Sequence, residues 1–273
     1  MNIWAVANQK GGVGKTTTTV ALGGLLAAWG LRTLLIDIDP HGSMTSYFRY
    51  DPEATDDSTY SMFDASVKRY PLDPHRLVHP TGTEGLGLIP SAMPLAALER
   101  QSGTLKGMGL VLKRTLSELR DDYDYALIDC PPVLGILLIN ALAACRHLIV
   151  PVQTEFLALK GLERMVRTLR MVNRSRPRAL PHTIVPTFFD KRTNASRESL
   201  HVMQTSYADT LWPGVIPMDT RLREAARAGL PPAVYDPRSR GASAYAELLD
   251  FLRTDTRAVA QRMHPSGARA RSV

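Results

Sequence analysis

Cysteine is almost missing from this 273-residue sequence: only Cys130 and Cys145 occur, both in or beside apolar segments. Two such thiols read as free buried side chains rather than as a disulfide or a metal site. They also leave no second pair with which to hold an iron–sulfur cluster. Long hydrophobic runs are missing too. No apolar stretch reaches the roughly 18 residues needed to cross a bilayer, and the start "MNIWAVANQK" reads as a first strand with no basic leader. The expectation is a cytoplasmic protein with no membrane attachment. A terminal membrane-binding helix would need bulky apolar residues beside its cations, and "RMHPSGARARSV" offers only Met263 and Val273 together with a proline and a glycine.

What is present is an ordinary globular composition, 44% hydrophobic and 22% charged, which argues against wholesale disorder. With no internal repeat and no long linker, residues 1–260 are expected to form one domain and residues 261–273 a disordered basic tail. The net charge of +7 is unevenly placed. Residues 1–159 hold 13 basic and 16 acidic side chains, whereas residues 160–240 hold 15 and 7. A positive second half suits a polyanion partner, and an arginine-rich solvated face accounts for it equally well.

The order of elements is α/β. "IWAVA" is a strand ending at glycines, and "TTTTVALGGLLAAWG" is a helix closed by Gly30. "LRTLLIDIDP" is a buried strand whose Asp37 and Asp39 come at its C-terminal end, the end at which open parallel sheets bind ligands. A short helix is predicted near "YSMFDASV", a strand at 85–91, a helix at 105–122 and a strand at 123–132. Helix "ILLINALAACR", strand "HLIVPV" and helix "ALKGLERMVRTLRMVNRSR" follow, the last stopped by Pro177 and Pro181. Then come strand 182–189, helix "NASRESLHVMQTSYAD", strand "WPGVIP", helix "TRLREAARAG" and a final helix over about 242–260.

"GGVGKTT" sits between a buried strand and a helix, the context a phosphate-binding loop requires. Its backbone N–H groups, from Gly11, Gly12, Val13 and Gly14 onward, are suited to phosphate oxygens. In that reading Lys15 lies over the β and γ phosphates, Thr16 places a hydroxyl on Mg²⁺ and Thr17 reaches a phosphate oxygen. Asp129 ends a second acidic strand. Lys10, five residues before Lys15, lies across the loop's opening; it extends either to a phosphate presented by a facing subunit or simply into solvent.

"KGGVGKTT", "LLIDIDPHGSMTSYF", "ALIDCPP", "PVQTEFLALKGL", "FFDKRTNASRESL" and "VIPMDTRLREAARAGLPPAVYDPRSRGASAYAEL" together resemble the ParA partition ATPases, grouped with MinD as deviant Walker A proteins. The resemblance runs from residue 1 to about 255 and is weakest over 49–122. It implies a doubly wound, mostly parallel P-loop sheet flanked by helices, forming a homodimer around ATP and Mg²⁺. It also implies that Lys10 crosses to the partner's nucleotide, that Asp39 orients the attacking water, with a metal role also open to it, and that Asp129 acts on Mg²⁺ through water. Pro217 and Asp219 would lie beside the adenine. Asp39 is expected to be an exposed carboxylate whose main contribution is positioning.

The same resemblance implies DNA binding without sequence preference through Arg221 and Arg192, with Lys191, Arg197 and Arg223 as neighbours. It implies a slow ATP hydrolase stimulated by a ParB-like protein, an adaptor or a chemotaxis-array partner. "DIDPHGS" carries His41 where glutamine is usual, and "CPPVLG" carries Val133 where serine is common. The N-terminal stretch and that loop look like the ParC-type proteins that position chemotaxis arrays. The expected cargo is therefore a polar array, the expected location nucleoid or cell pole, and the alternative chromosome or plasmid partition. A non-hydrolysing scaffold and a metabolic member of the wider superfamily, such as a cobyrinic-acid amidating enzyme, are the competing readings. No glutamine-handling domain supports the latter.

Overall fold

The computed structural model describes residues 1–101 and 108–263, with the backbone alone at 101 and from 255 onward. Aliphatic runs form strands β1 (Asn2–Val6), β2 (Thr33–Asp37), β3 (His79–Pro80), β4 (Leu86–Ile89), β5 (Tyr125–Asp129), β6 (His147–Gln153) and β7 (His182–Thr187). They join one sheet in the order β3-β4-β2-β5-β1-β6-β7, parallel except for the short edge strand β3.

A parallel sheet must be covered on both faces, and alternate residues supply the two surfaces. Ala5, Leu34, Ile36, Ala126, Ile128, Leu148 and Val150 face one core. Trp4, Val6, Leu35, Leu127, Ile149 and Val185 face the other. Fully burying one such Leu or Ile contributes about 1.5–3 kcal/mol.

The first core is closed by α3 (Thr59–Lys68), α5 (Val111–Glu118), α6 (Ile136–Ala144) and α7 (Phe156–Arg174), with Met203 of α8 (Asn194–Ser206) at its edge. The second is closed mainly by α1 (Lys15–Ala28), α2 (Ser43–Tyr47) and α11 (Arg240–Met263). Helices α4 (Leu95–Gln101), α9 (Thr220–Ala228) and α10 (Pro232–Tyr235) complete the layers. This is the doubly wound α/β sheet the element order predicts. Cys130 and Cys145 are free and buried, and burial raises both thiol pKa values, that of Cys145 to about 12.

Three expectations change. "WPGVIP" is not a strand: only single bridges form at its two ends, Leu211 just before it with Ile184 and Pro217 with Phe189, because Pro213 and Pro217 have no N–H for a ladder. The helix predicted over 105–122 is confined among the described residues to Val111–Glu118 after a 3₁₀ turn at Met108–Leu110, and its start at 105–107 lies outside them. Helix α11 continues to Met263, while the rest of the expected tail lies outside the described residues.

Candidate nucleotide site

Pairing of β5 with both β1 and β2 sets Val6, Asp129 and Asp37 side by side at the C-terminal edge of the sheet. The three segments that leave those strands, 7–14, 38–42 and 130–135, therefore converge. The first turns into α1 through Gly12 (φ 73°) and Gly14 (φ 90°), left-handed conformations that glycine adopts without a Cβ clash. Gly14 caps α1 without a side-chain hydrogen bond, and no acid lies in the first turn. That leaves the helix's positive end suited to an anion. Lys15 is the first helical residue and is buried, its Nζ 3.4 Å from the Lys10 carbonyl oxygen.

Thr16 donates its hydroxyl to Asp129 Oδ2 at 2.6 Å, and Asp129 Oδ1 is buried with no protein partner. Burial raises the Asp129 pKa, and the neighbouring Asp37 charge adds to the effect. An orphaned carboxylate oxygen beside a threonine hydroxyl, at a phosphate loop, fits a hard divalent cation held partly through water. Asp37 received no role from the sequence. Its carboxylate accepts from the Thr45 N–H and hydroxyl, both at 2.8 Å, and from the Asp39 N–H at 3.1 Å, so it clamps the loop that carries Asp39. Burial pushes its pKa up to about 7.

Asp39 is buried, not exposed as expected. Its Oδ1 lies 3.1 Å from the His41 N–H and 2.9 Å from His41 Nδ1, while the His41 ring itself is open to solvent. The buried strand end and the tight turn from Asp39 to Gly42 draw the carboxylate inward.

Lys10 points away from its own phosphate loop. Its ammonium pairs with Glu155, the residue that begins α7. The segment around it is held to β6 and to the same helix. Asn8 donates to the Pro151 carbonyl at 2.7 Å and Gln9 to the Thr168 hydroxyl at 2.7 Å, and a Cβ at Gly161 would lie 2.9 Å from Lys10 Cβ. Glu155 lies inside the quoted "PVQTEFLALKGL" segment, yet its charge alone gave no sign that it would meet Lys10.

Across the loop, a cavity of about 180 Å³ is lined by Gly14, Thr17, Phe188, Pro217, Met218 and Asp219, among others. Pro217 and Asp219 thus lie together beside the phosphate loop. Both Asp219 carboxylate oxygens are already occupied, by the Arg221 N–H at 2.9 Å and the Gly241 N–H at 2.8 Å. Asp219 therefore ties the starts of α9 and α11 and lines the cavity without a free carboxylate oxygen. Phe188, which the sequence did not single out, holds φ at 52°, a strained setting for a bulky residue, with its ring against Gly14.

The five candidate DNA-contacting residues do not form one free cationic patch. Arg192 makes a two-point pair with Asp190, at 2.9 and 2.7 Å. Arg221 bridges Glu224 at 2.6 Å and Asp236 at 3.3 Å. Arg197 hydrogen-bonds Asn194, Arg223 lines the cavity just described, and Lys191 is exposed beside Arg192.

The profile of a family described as an AAA domain matches residues 1–181. The sporulation initiation inhibitor protein Soj of Bacillus subtilis is 40% identical over 249 residues, covering 90% of this chain and 96% of Soj. The chromosome partitioning protein ParA of Caulobacter vibrioides is 35% identical over 258 residues, covering 91% and 92%. Among solved structures, cobyrinic acid a,c-diamide synthase from Mycobacterium smegmatis, with bound ATP analogue and magnesium, superposes with a TM-score of 0.78 at 33% identity over 92% of this chain and 94% of that one. The ATP analogue and magnesium of that structure are ligands of the kind that this chain's phosphate loop and orphaned Asp129 oxygen would suit. On sequence and fold alike, the chain belongs to the ParA/MinD family of deviant Walker A P-loop ATPases.

Proposed function

We propose that this ATPase is a switch for chromosome or plasmid partition, which pairs with a second copy when ATP is bound and then binds DNA without sequence preference. The partition names carried by its relatives favour this alternative over the array-positioning expectation drawn from the "DIDPHGS" loop. The observation that carries the proposal is the placement of Lys10. Its ammonium is paired with Glu155 rather than with the residues of its own loop, which suits a side chain that exchanges this partner for a facing copy's phosphate.

In this reading the N–H groups of the loop and Lys15 bind the phosphates, and Thr16 and Asp129 hold the metal. Magnesium, when bound, supplies positive charge across the phosphate oxygens. Asp39 orients the attacking water, and His41 fixes the rotamer of that carboxylate through the 2.9 Å contact. Lys10 leaves Glu155 to complete the partner's site, and a protein partner stimulates turnover.

Sedimentation and phosphate release test the reading together. With ATP and Mg²⁺, Asp39→Ala should sediment as a dimer while releasing phosphate about a hundredfold more slowly than wild type. Lys10→Ala should remain a monomer that still binds ATP. Single chains only, with hydrolysis blocked in Asp39→Ala, would sink the proposal.

A further inference from the structure

A groove of about 820 Å³ runs between α5, α6 and α7, and no residue of the phosphate loop lines it. Its floor includes Leu110, Leu134, Ile139 and Met171, four large apolar side chains that are between 43% and 53% exposed. Singly, such residues are ordinary, but four along one groove form a contiguous apolar strip. The rim carries Lys113, Arg176 and Arg178, and among the described residues no carboxylate lines the groove.

These features narrow the occupant. A nucleic acid backbone has nothing to place against an aliphatic floor. A second copy of the chain would set the same three cations against each other. An amphipathic helix with aliphatic side chains on one face and carboxylates along its flanks satisfies both floor and rim, and helix-in-groove docking reads such anchors at helical spacing.

The groove also shares a wall with the Lys10 support. Thr168 lines it, and the Thr168 hydroxyl accepts from Gln9, the residue next to Lys10. Further up the same helix, Gly161 packs on Lys10 and Glu155 holds its ammonium. Leu134, on the floor, lies five residues after Asp129. We propose that this groove docks an acid-flanked amphipathic helix of a partner protein, and that an occupant acts on the placement of Lys10 through α7. The docking half stands by itself; the second half rests on the switch reading given above.

The probe is a fluorescein-labelled, helix-stapled peptide of about 16 residues with Leu or Ile at i, i+3, i+4 and i+7 and Glu elsewhere, compared with a Lys-for-Glu version. Anisotropy with the full chain and ATP–Mg²⁺ should show the Glu peptide binding at least about tenfold more tightly than the Lys peptide. Met171→Asp should weaken the Glu peptide about tenfold. Lys113→Glu combined with Arg178→Glu should reverse the preference between peptides. All three positions are exposed, and circular dichroism with basal phosphate release verifies that each variant is folded.

Equal binding of both peptides, or undiminished binding to Met171→Asp, overturns the proposal. So does displacement of the peptide by duplex DNA, which would assign the face to nucleic acid, or loss of the ATP dimer in Met171→Asp, which would assign it to self-association. A bound Glu peptide that leaves phosphate release unchanged overturns the coupling through α7. Peptide binding without any ATP-driven dimer refutes the switch reading alone, and a dimer that ignores the peptide refutes the groove alone.

Discussion

His147 is a residue whose charge the fold suppresses. It is buried at the start of β6, with Nε2 2.9 Å from the Thr183 hydroxyl and its ring 6.5 Å from that of Trp4. Burial, and secondarily nearby His182, pulls its pKa down to about 4. An unfolded histidine titrates near 6.5. Between those two values the unfolded chain binds a proton that the folded chain does not, so acidification through that window favours unfolding. The loss amounts to about 3 kcal/mol by pH 4 and does not grow further below it. His147→Gln keeps a polar group for Thr183 and cannot titrate. Its melting temperature should therefore fall less than that of wild type between pH 7 and pH 5. Asp37, raised to about 7, acts in the opposite direction but is common to both proteins and drops out of the difference. Parallel curves for the two would mean that folded His147 takes up the proton after all.

At the scale of elements, α7 governs how the Lys10 segment is held. Gly161 lets that segment approach: a Cβ there would meet Lys10 Cβ at 2.9 Å and Asn8 Oδ1 at 3.2 Å. Gly161→Ala gains roughly 1 kcal/mol of helix propensity and loses about 1–3 kcal/mol to overpacking. The chain should melt within a few degrees of wild type and bind ATP as before, while ATP-dependent dimerisation weakens up to about tenfold in sedimentation equilibrium. Unchanged dimerisation would show that Lys10 reaches its target regardless of how its segment is supported. The residues that set this geometry also mark what the sequence made legible. The strands and the phosphate loop were readable because buried runs and glycines before a helix are local signals, and Thr16 and Asp129, expected at one metal from the motif and the resemblance, do meet. Glu155 on Lys10 and the reach of Asp219 to the start of α11 are contacts between segments far apart in the chain, and the His41 ring on Asp39 is a turn contact set by local backbone geometry. No periodicity encodes them. Short elements such as α2 and α10 were missed because four or five residues cannot display a helical repeat.

The whole molecule carries its charge asymmetrically, and the folded chain engages two of the arginines expected to face DNA. Arg192 and Arg221 are both engaged by carboxylates of their own chain. The Arg192 hydrogen bonds hold the Asp190 carboxyl down to about 2, so this pair is fully ionised at neutral pH, and in the DNA-binding reading it would compete with phosphate for Arg192. A single chain then has two of its candidate DNA-facing arginines engaged internally, and pairing two chains doubles whatever cations remain. If the ATP dimer contacts six phosphates, affinity for duplex DNA should fall about a thousandfold between 50 and 200 mM salt. Asp190→Asn sharpens the test. Its amide oxygen still accepts the Arg192 N–H that forms the local turn at 3.0 Å, but the carboxylate charge is gone. Arg192 is thereby released in both protomers, and the slope of log affinity against log salt should steepen by about 1.8 for the dimer. Anisotropy over a salt series, with ATP and without nucleotide, measures it. A slope that ignores residue 190 would remove Arg192 from the DNA-facing surface, and equal affinity with and without ATP would uncouple DNA binding from pairing altogether.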